Sequence, residues 1–315
     1  MSTASPLSCI ARLRPRGRAV SISSSSLLHR AASALALFVA ACRPVASTER
    51  AAIVVDDAGD TVRVTAPARR VVSLIPATTE LLFAIGAGPL LVGRTAWCDY
   101  PPAAAAVPNL GDGIAPNAEA VLATRPDLVI LYNSAQNAAI AGRLRGLGIA
   151  ALRLNTDTLG DVSRVARLLG RLTGHAAGAD SVAAVFDTAL THATAHALPS
   201  RPKVLLLVWE QPPMTIGRGS FLNELVERAG GTNLFADVAS SAGTVSIEAV
   251  AARDPDLILT TTAGPAAFAR RPEWQAVRAV RERRFLPVVG SQFDRPSPRA
   301  PAAIRELARR LQETR

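Results

Sequence analysis

The sequence predicts an α/β protein of two Rossmann-like lobes joined by one long helix, with a ligand cleft between them. Three observations predict it. The first is a repeat: Glu119-Ala-Val-Leu-Ala-Thr-Arg-Pro-Asp-Leu-Val-Ile-Leu131 returns 129 residues later as Glu248-Ala-Val-Ala-Ala-Arg-Asp-Pro-Asp-Leu-Ile-Leu-Thr260, and Glu80-Leu-Leu…Gly86 is echoed by Glu224-Leu-Val…Gly230. That spacing is too long for a solenoid and fits two similar lobes. The second is an alternation of strand-like and helix-like segments in both halves, the pattern of a covered parallel sheet. The third is an alanine-rich run at residues 176–198, interrupted by no Pro and only by Gly178 and ended by Pro199, which reads as a single helix.

The elements follow in chain order. Residues 53–64 read as a β-hairpin turning at Asp57-Ala-Gly-Asp60. Val71-Val-Ser-Leu-Ile75 is an apolar strand. Pro76-Ala-Thr-Thr-Glu80 opens a helix that Thr78 or Thr79 can cap, with Glu80 in the first turn, where the dipole favours a carboxylate. Gly86 stops that helix. Leu90-Leu-Val-Gly93 is the next strand; a helix from Ala118 ends before Pro126, and strands follow at 128–132 and 148–154. After the long helix, Lys203-Val-Leu-Leu-Leu-Val-Trp209 restarts the alternation, which runs through Phe285-Leu-Pro-Val-Val289, and residues 298–312 form the closing helix. The segments so defined are 1–41 (lipoprotein signal), 42–68 (tether and hairpin), 69–175 (N-terminal lobe), 176–199 (linking helix) and 200–315 (C-terminal lobe).

Residues 1–41 carry Arg12, Arg14, Arg16, Arg18 and Arg30 without an acid, then an apolar run at 31–41 that is too short to span a bilayer. This is the order of a secretory signal. It ends Val39-Ala40-Ala41-Cys42, which resembles a bacterial lipobox, so Cys42 is expected to receive a diacylglyceryl anchor; an ordinary cleavable signal with an incidental cysteine is the alternative. The expected location is the periplasm or the outer face of the cytoplasmic membrane, held by the lipid. Removing these residues takes five Arg and no acid, so the formal charge falls from +10 to +5. Lys203 is the only lysine, and no basic run follows the signal, which leaves a nucleic-acid partner without support. With Cys9 and Cys42 accounted for, Cys98 stands alone and no intramolecular disulfide framework is possible.

Six segments carry a family resemblance: Ser73-Leu-Ile-Pro-Ala-Thr-Thr-Glu80, Cys98-Asp-Tyr-Pro-Pro102, Asn117-Ala-Glu119 with Arg125-Pro-Asp127, Pro212-Pro-Met-Thr215, Ala229-Gly-Gly-Thr-Asn233, and Ser291-Gln-Phe-Asp-Arg-Pro-Ser-Pro-Arg299. In this order the chain resembles the substrate-binding proteins of ABC importers with a helical backbone between two lobes, which carry cobalamin, haem, siderophores or metal ions. Within that family it most resembles the periplasmic vitamin B12-binding proteins. The resemblance covers nearly all of residues 70–312. It implies a monomeric protein that captures cobalamin or a related corrinoid and delivers it to ABC permease subunits and their ATPase. No catalysis and no resident cofactor are implied.

Glu119 and Glu248 each follow a capping residue, Asn117 or Ser246, in the first turn of a short helix. Either alone reads as dipole complementation, worth about 0.3–1 kcal/mol. In the resembled family such glutamates face the membrane and pair with permease arginines, and their duplication here matches a pseudo-symmetric partner.

Loops beyond the strand ends should line the cleft. Trp97, Tyr100 and Tyr132 fall there in the first lobe, and Trp209, Met214 and Phe293 in the second, a large share of the aromatics in a chain with 4% aromatic residues. A corrin is a broad, partly apolar plate, and aromatic side chains give large contact area at low entropic cost. The competing reading for each is core packing. Asp99 and Arg295 either bind amide groups of the ligand or hold their own loops. Where the resembled proteins place a tryptophan before the docking glutamate, this chain has Gly111-Asp-Gly-Ile-Ala115, and Gln292 precedes Phe293 in place of an aromatic. These departures suit a different corrinoid or a haem, and within the family siderophores and metal chelates stay open as alternative ligands. Haem would want an axial Tyr or His, for which Tyr100 and Tyr132 are available. His192 and His196 have metal-binding spacing but no nearby acid or cysteine pattern, so no metal site is assigned. Cys98 is either a cobalt contact or a small buried residue. Against an exported enzyme stand the lack of a Gly-x-Ser-x-Gly elbow, a Gly-rich phosphate loop and a convincing metal cluster.

Overall fold

The computed structural model describes residues 50–194, 201–262 and 266–314; the expected signal, Cys42 and His196 lie outside the described residues. Strands β1 (Arg50–Val55) and β2 (Thr61–Ala66) form the antiparallel hairpin. Its turn is closed by Asp56, whose Oδ1 accepts from the backbone N–H groups of Ala58 and Asp60. Arg145 then bridges the Asp56 and Asp60 carboxylates at 2.7 and 2.6 Å, fastening the hairpin to the first lobe.

The first lobe holds a four-stranded, all-parallel sheet in the order β4 (Leu91–Arg94), β3 (Val71–Ser73), β5 (Leu128–Tyr132), β6 (Ala150–Leu154). The second lobe's sheet runs β10 (Ala242–Thr244), β8 (Pro213–Ile216), β7 (Lys203–Glu210), β11 (Leu257–Thr260), β12 (Phe285–Pro287), with β9 (Thr232–Asn233) also pairing β7. β7, β9, β11 and β12 are parallel, but β8 runs against them, and β10 pairs antiparallel with β8 and so runs with β7. The expected purely parallel second sheet is therefore a mixed one. The cause is the short Gln211-Pro212 reversal, which leaves no residues for a crossover helix.

Both sheets are covered on two faces, and the strands divide their side chains with period two. Leu128 and Ile130 of β5 enter one core, while Val129 and Leu131 enter another. Val204 and Leu206 of β7 join the first of these cores, while Leu205 and Leu207 face a third. The shared core runs through both lobes. To it α1 (Pro76–Ala84), α4 (Leu159–Thr173), α5 (Ala176–Thr194), α6 (Phe221–Arg228) and α10 (Ala300–Glu313) contribute buried apolar residues. α5 is the linking helix, and Ala179, Phe186 and Ala193 are its contribution. Gly178 permits its close approach to α1: a Cβ there would lie 2.5 Å from the Ile85 carbonyl oxygen. A linker buried in the same core as both lobes restricts them to small relative motions.

The start of α1 differs from expectation. Its N-cap is Ile75, Pro76 occupies the first turn, and no cap is made by Thr78 or Thr79. Both hydroxyls are buried and donate to the Ile75 carbonyl instead. Glu80 lies beyond the first turn and is 3% exposed, so dipole complementation is not its role.

The repeat has a structural basis. Arg125 and Asp254, 129 residues apart, both adopt left-handed backbone (φ 48° and 49°) where α2 (Ala118–Ala123) and α7 (Ile247–Arg253) give way to strands. Asp127 then accepts from the N–H groups of Arg69 and Arg70, and Asp256 from that of Lys203, tying each Pro-Asp pair to the start of the neighbouring strand. Gly86 and Gly230 of the second echo are likewise left-handed (φ 88° and 92°).

Candidate functional site

Two cavities open beyond the carboxyl ends of the parallel strands, one on each lobe. The first, about 320 Å³, lies among the loops after β3, β4 and β5 and the amino end of α3 (Ala135–Gly146). Trp97, Ile114 and Tyr132 supply its apolar wall; Thr95, Ser134 and Asn137 are among its polar residues. The second, about 460 Å³, lies beyond β7 and β11, between Trp209, Thr260, Phe268 and Arg271. Trp97 and Trp209 are 67% and 61% exposed, which is unusual for indoles in a folded chain. Met214 stands opposite Trp209 in the β7–β8 ladder.

Other expected residues fall elsewhere. Phe293, on α9 (Ser291–Asp294), is 2% exposed and belongs to the shared core, which corrects the expectation that it lines the cleft. Cys98 is buried, its sulfur within 3.1 Å of the Thr79 hydroxyl and 3.2 Å of the Thr95 hydroxyl. His192 is exposed on α5. Among the described residues no group of three His, Cys, Asp or Glu is placed to hold a metal.

Asp99 and Arg295 pair with each other across the lobes. Arg295 also donates through Nη1 to the Trp97 carbonyl at 2.8 Å, and its Nε lies 3.2 Å from Glu80 Oε1. Arg299 grips the same glutamate in a fork, Nε to Oε2 at 2.9 Å and Nη2 to Oε1 at 2.6 Å, and lies 4.0 Å over the Tyr100 ring. Such bidentate pairing is the strong form of the arginine–carboxylate bond. The sequence suggests only a helix-dipole role for Glu80 and none for Arg299, although both stand at the ends of family-like segments.

Tyr132 donates its phenol proton to Asp157 at 2.7 Å. Burial, with Asp157 adding to it, pushes the phenol up to about 12 from its ordinary 10. The folded state therefore holds this proton more tightly than the unfolded chain. The resulting stability is full below pH 10 and is lost as pH rises towards 12. In a Tyr100→Phe variant, which leaves Tyr132 as the sole tyrosine, phenolate absorbance should rise near pH 12; a transition near pH 10 would contradict it. Asn137 was also missed. Its Nδ2 donates to the carbonyls of Gly113 and Tyr132, which orients the amide, and its buried Oδ1 has no partner among the described residues.

Glu119 and Glu248 are both exposed, at the amino ends of α2 and α7. Asn117 caps α2 through the N–H groups of Glu119 and Ala120, and Ser246 caps α7 through that of Ala249. Its own backbone N–H and the Ser246 hydroxyl hold the Glu248 carboxyl below its ordinary range.

Residues 71–287 match the family model of the periplasmic binding proteins. The chain belongs to that family. A vitamin B12-binding protein of Vibrio cholerae is 28% identical over 243 residues, covering 76% of this chain and 88% of the relative. An ABC transporter substrate-binding lipoprotein of Bacillus subtilis is 29% identical over 273 residues, covering 83% and 86%. Among solved structures, a periplasmic heme-binding protein from Roseiflexus sp. RS-1 in apo form superposes with a TM-score of 0.71 at 25% identity, covering 78% of this chain and 98% of that one. In this chain the two Trp-walled cavities lie one on each lobe, beyond the carboxyl ends of parallel strands.

Proposed function

We propose that this periplasmic binding protein captures cobalamin or a related corrinoid and delivers it to an ABC importer. In this reading it is anchored by lipid at Cys42, does no chemistry, and docks on two permease subunits through Glu119 and Glu248. The observation that carries the ligand assignment is the pair of cavities at the strand ends, each with a largely exposed tryptophan. Two aromatic walls suit a broad plate that both lobes grip. The vitamin B12-binding relative supports this choice within the family, and the lipoprotein relative supports the anchor.

Haem is the second reading, favoured by the heme-binding neighbour. An axial tyrosine would have to coordinate through its oxygen. Here the Tyr132 phenol is committed to Asp157 and holds its proton to about pH 12, and the Tyr100 ring lies under Arg299. Both work against iron ligation.

The test is calorimetric titration of residues 43–315, which contain the whole compact unit Glu49–Arg315, with cyanocobalamin and, in parallel, hemin. Saturable one-to-one cobalamin binding at submicromolar affinity, about −8 kcal/mol or better, is expected. Binding of hemin alone would transfer the assignment to haem, and silence with both would point to siderophores or metal chelates.

A further inference from the structure

We propose that Arg295 is a positioning residue that sets the aromatic wall of the first lobe's cavity from the second lobe, and that Glu80 and Glu224 anchor the two sides of a cross-lobe clamp. The inference rests on reading the cleft as the ligand site. One planar guanidinium, that of Arg295, joins the Trp97 carbonyl, the Asp99 carboxylate, Glu80 and its own Ser291 carbonyl. Arg299, four residues on, forks Glu80 and covers Tyr100. The loop from Trp97 to Tyr100 is thus held by the opposite lobe at a carbonyl, a carboxylate and a ring, while the Trp97 indole stays exposed to the cavity.

A second cross-lobe contact uses the glutamate at the equivalent place in the echo. Glu224, on α6 of the second lobe, accepts from the N–H of Leu159 at the amino end of α4 in the first, 3.2 Å away. A carboxylate there is also favoured by the helix dipole. Glu80 and Glu224 occupy the same place in the second sequence echo. The duplication therefore carries two glutamate pairs with opposite fates: Glu119 and Glu248 face solvent, whereas Glu80 and Glu224 each reach into the other lobe. Charge-assisted bonds are directional and lose strength over tenths of an ångström, so this clamp resists sliding where an apolar contact alone would permit it. It holds the two tryptophan walls at a fixed spacing before ligand arrives, which lowers the ordering cost of binding.

The test uses residues 43–315 with spin labels at Ala139→Cys and Ala276→Cys, exposed positions on the first and second lobes; Cys98 is buried. Pulsed dipolar spectroscopy should give a narrow inter-lobe distance distribution in the parent and a broadened one in Arg295→Gln and Asp99→Asn. Stopped-flow release of cyanocobalamin should quicken at least about tenfold in Arg295→Gln, the size expected for losing bonds to charged groups, with association changed less than about twofold. Asp99 is exposed, so Asp99→Asn decides the matter if Arg295→Gln does not fold. Unchanged distributions in both variants would overturn the clamp. Faster release without broadening would make Arg295 a direct ligand contact and would also overturn it. If the parent binds no cobalamin, the corrinoid reading falls and the distance distributions alone decide the clamp.

Discussion

Reversing both exposed glutamates, Glu119→Arg with Glu248→Arg, will abolish ligand delivery through the importer and leave ligand affinity unchanged. Each carboxylate sits in the first turn of a short, capped helix and is exposed. The Asn117 and Ser246 side chains cap the N–H groups of Ala120 and Ala249, so both of these caps survive replacement of the glutamates. The loss from each helix dipole is about 0.3–1 kcal/mol, too little to unfold the chain. For a partner with two like halves, two charges at equivalent places fix orientation, and reversing both turns attraction into repulsion at both contacts. Single reversals should weaken transport in vesicles and the double reversal should eliminate it, with calorimetric affinity for ligand equal to that of the parent. Reduced affinity in the double variant would show that these residues serve the cleft or the fold and would end the docking assignment.

Glu80→Leu is expected to lower the thermal midpoint by about 6–12 °C. Its side chain is 2% exposed, against 12% for Arg295 and 20% for Arg299, so its removal leaves two poorly solvated guanidiniums without their shared anion. Breaking a buried pair in this way costs about 3–5 kcal/mol, and the partial exposure of the arginines places this case at the lower end. A cost of about 3 kcal/mol corresponds to the stated shift for a chain of this size. The double variant Glu80→Leu with Arg299→Met should recover part of the loss, because the uncompensated charge goes with the arginine. A midpoint within about 2 °C of the parent for Glu80→Leu would mean that the pair contributes nothing, and calorimetric melting would reveal it.

Much of the fold was legible because its signals are local. The apolar run from Leu128 to Leu131 is buried on both sides and so reads as a continuous strand. Gly86 and Gly230 mark helix ends because both take left-handed backbone. The repeat of Pro126-Asp127 at Pro255-Asp256 announced two lobes, since each aspartate ties one strand start in the same way. The antiparallel β8 and β10 were less legible, because Pro213–Ile216 is short and its pairing depends on Ala242–Thr244 coming back to it. Trp97 lies in the turn after β4 and Trp209 within the last residues of β7 itself, and both are largely exposed, yet Phe293, equally aromatic, is drawn into the core. Nothing in a window around Phe293 distinguishes it. Its burial follows from its position in the shared core, among residues from both lobes.

Glu80 illustrates the division most plainly. Its neighbours in sequence predict a helix, a carboxylate near the amino end and a stop at Gly86, all of which depend on a few adjacent residues and on helix geometry. Its partners, Arg295 and Arg299, return only after the chain has built a second lobe, 219 residues later in the case of Arg299. The element order, the two-lobed plan and the exposed glutamate pair are carried by short-range pattern and repetition. Which carboxylates turn inward, which aromatics stay open and how far apart the two walls stand depend on surfaces brought together only by packing, where burial and charge pairing are settled between residues that share no local window.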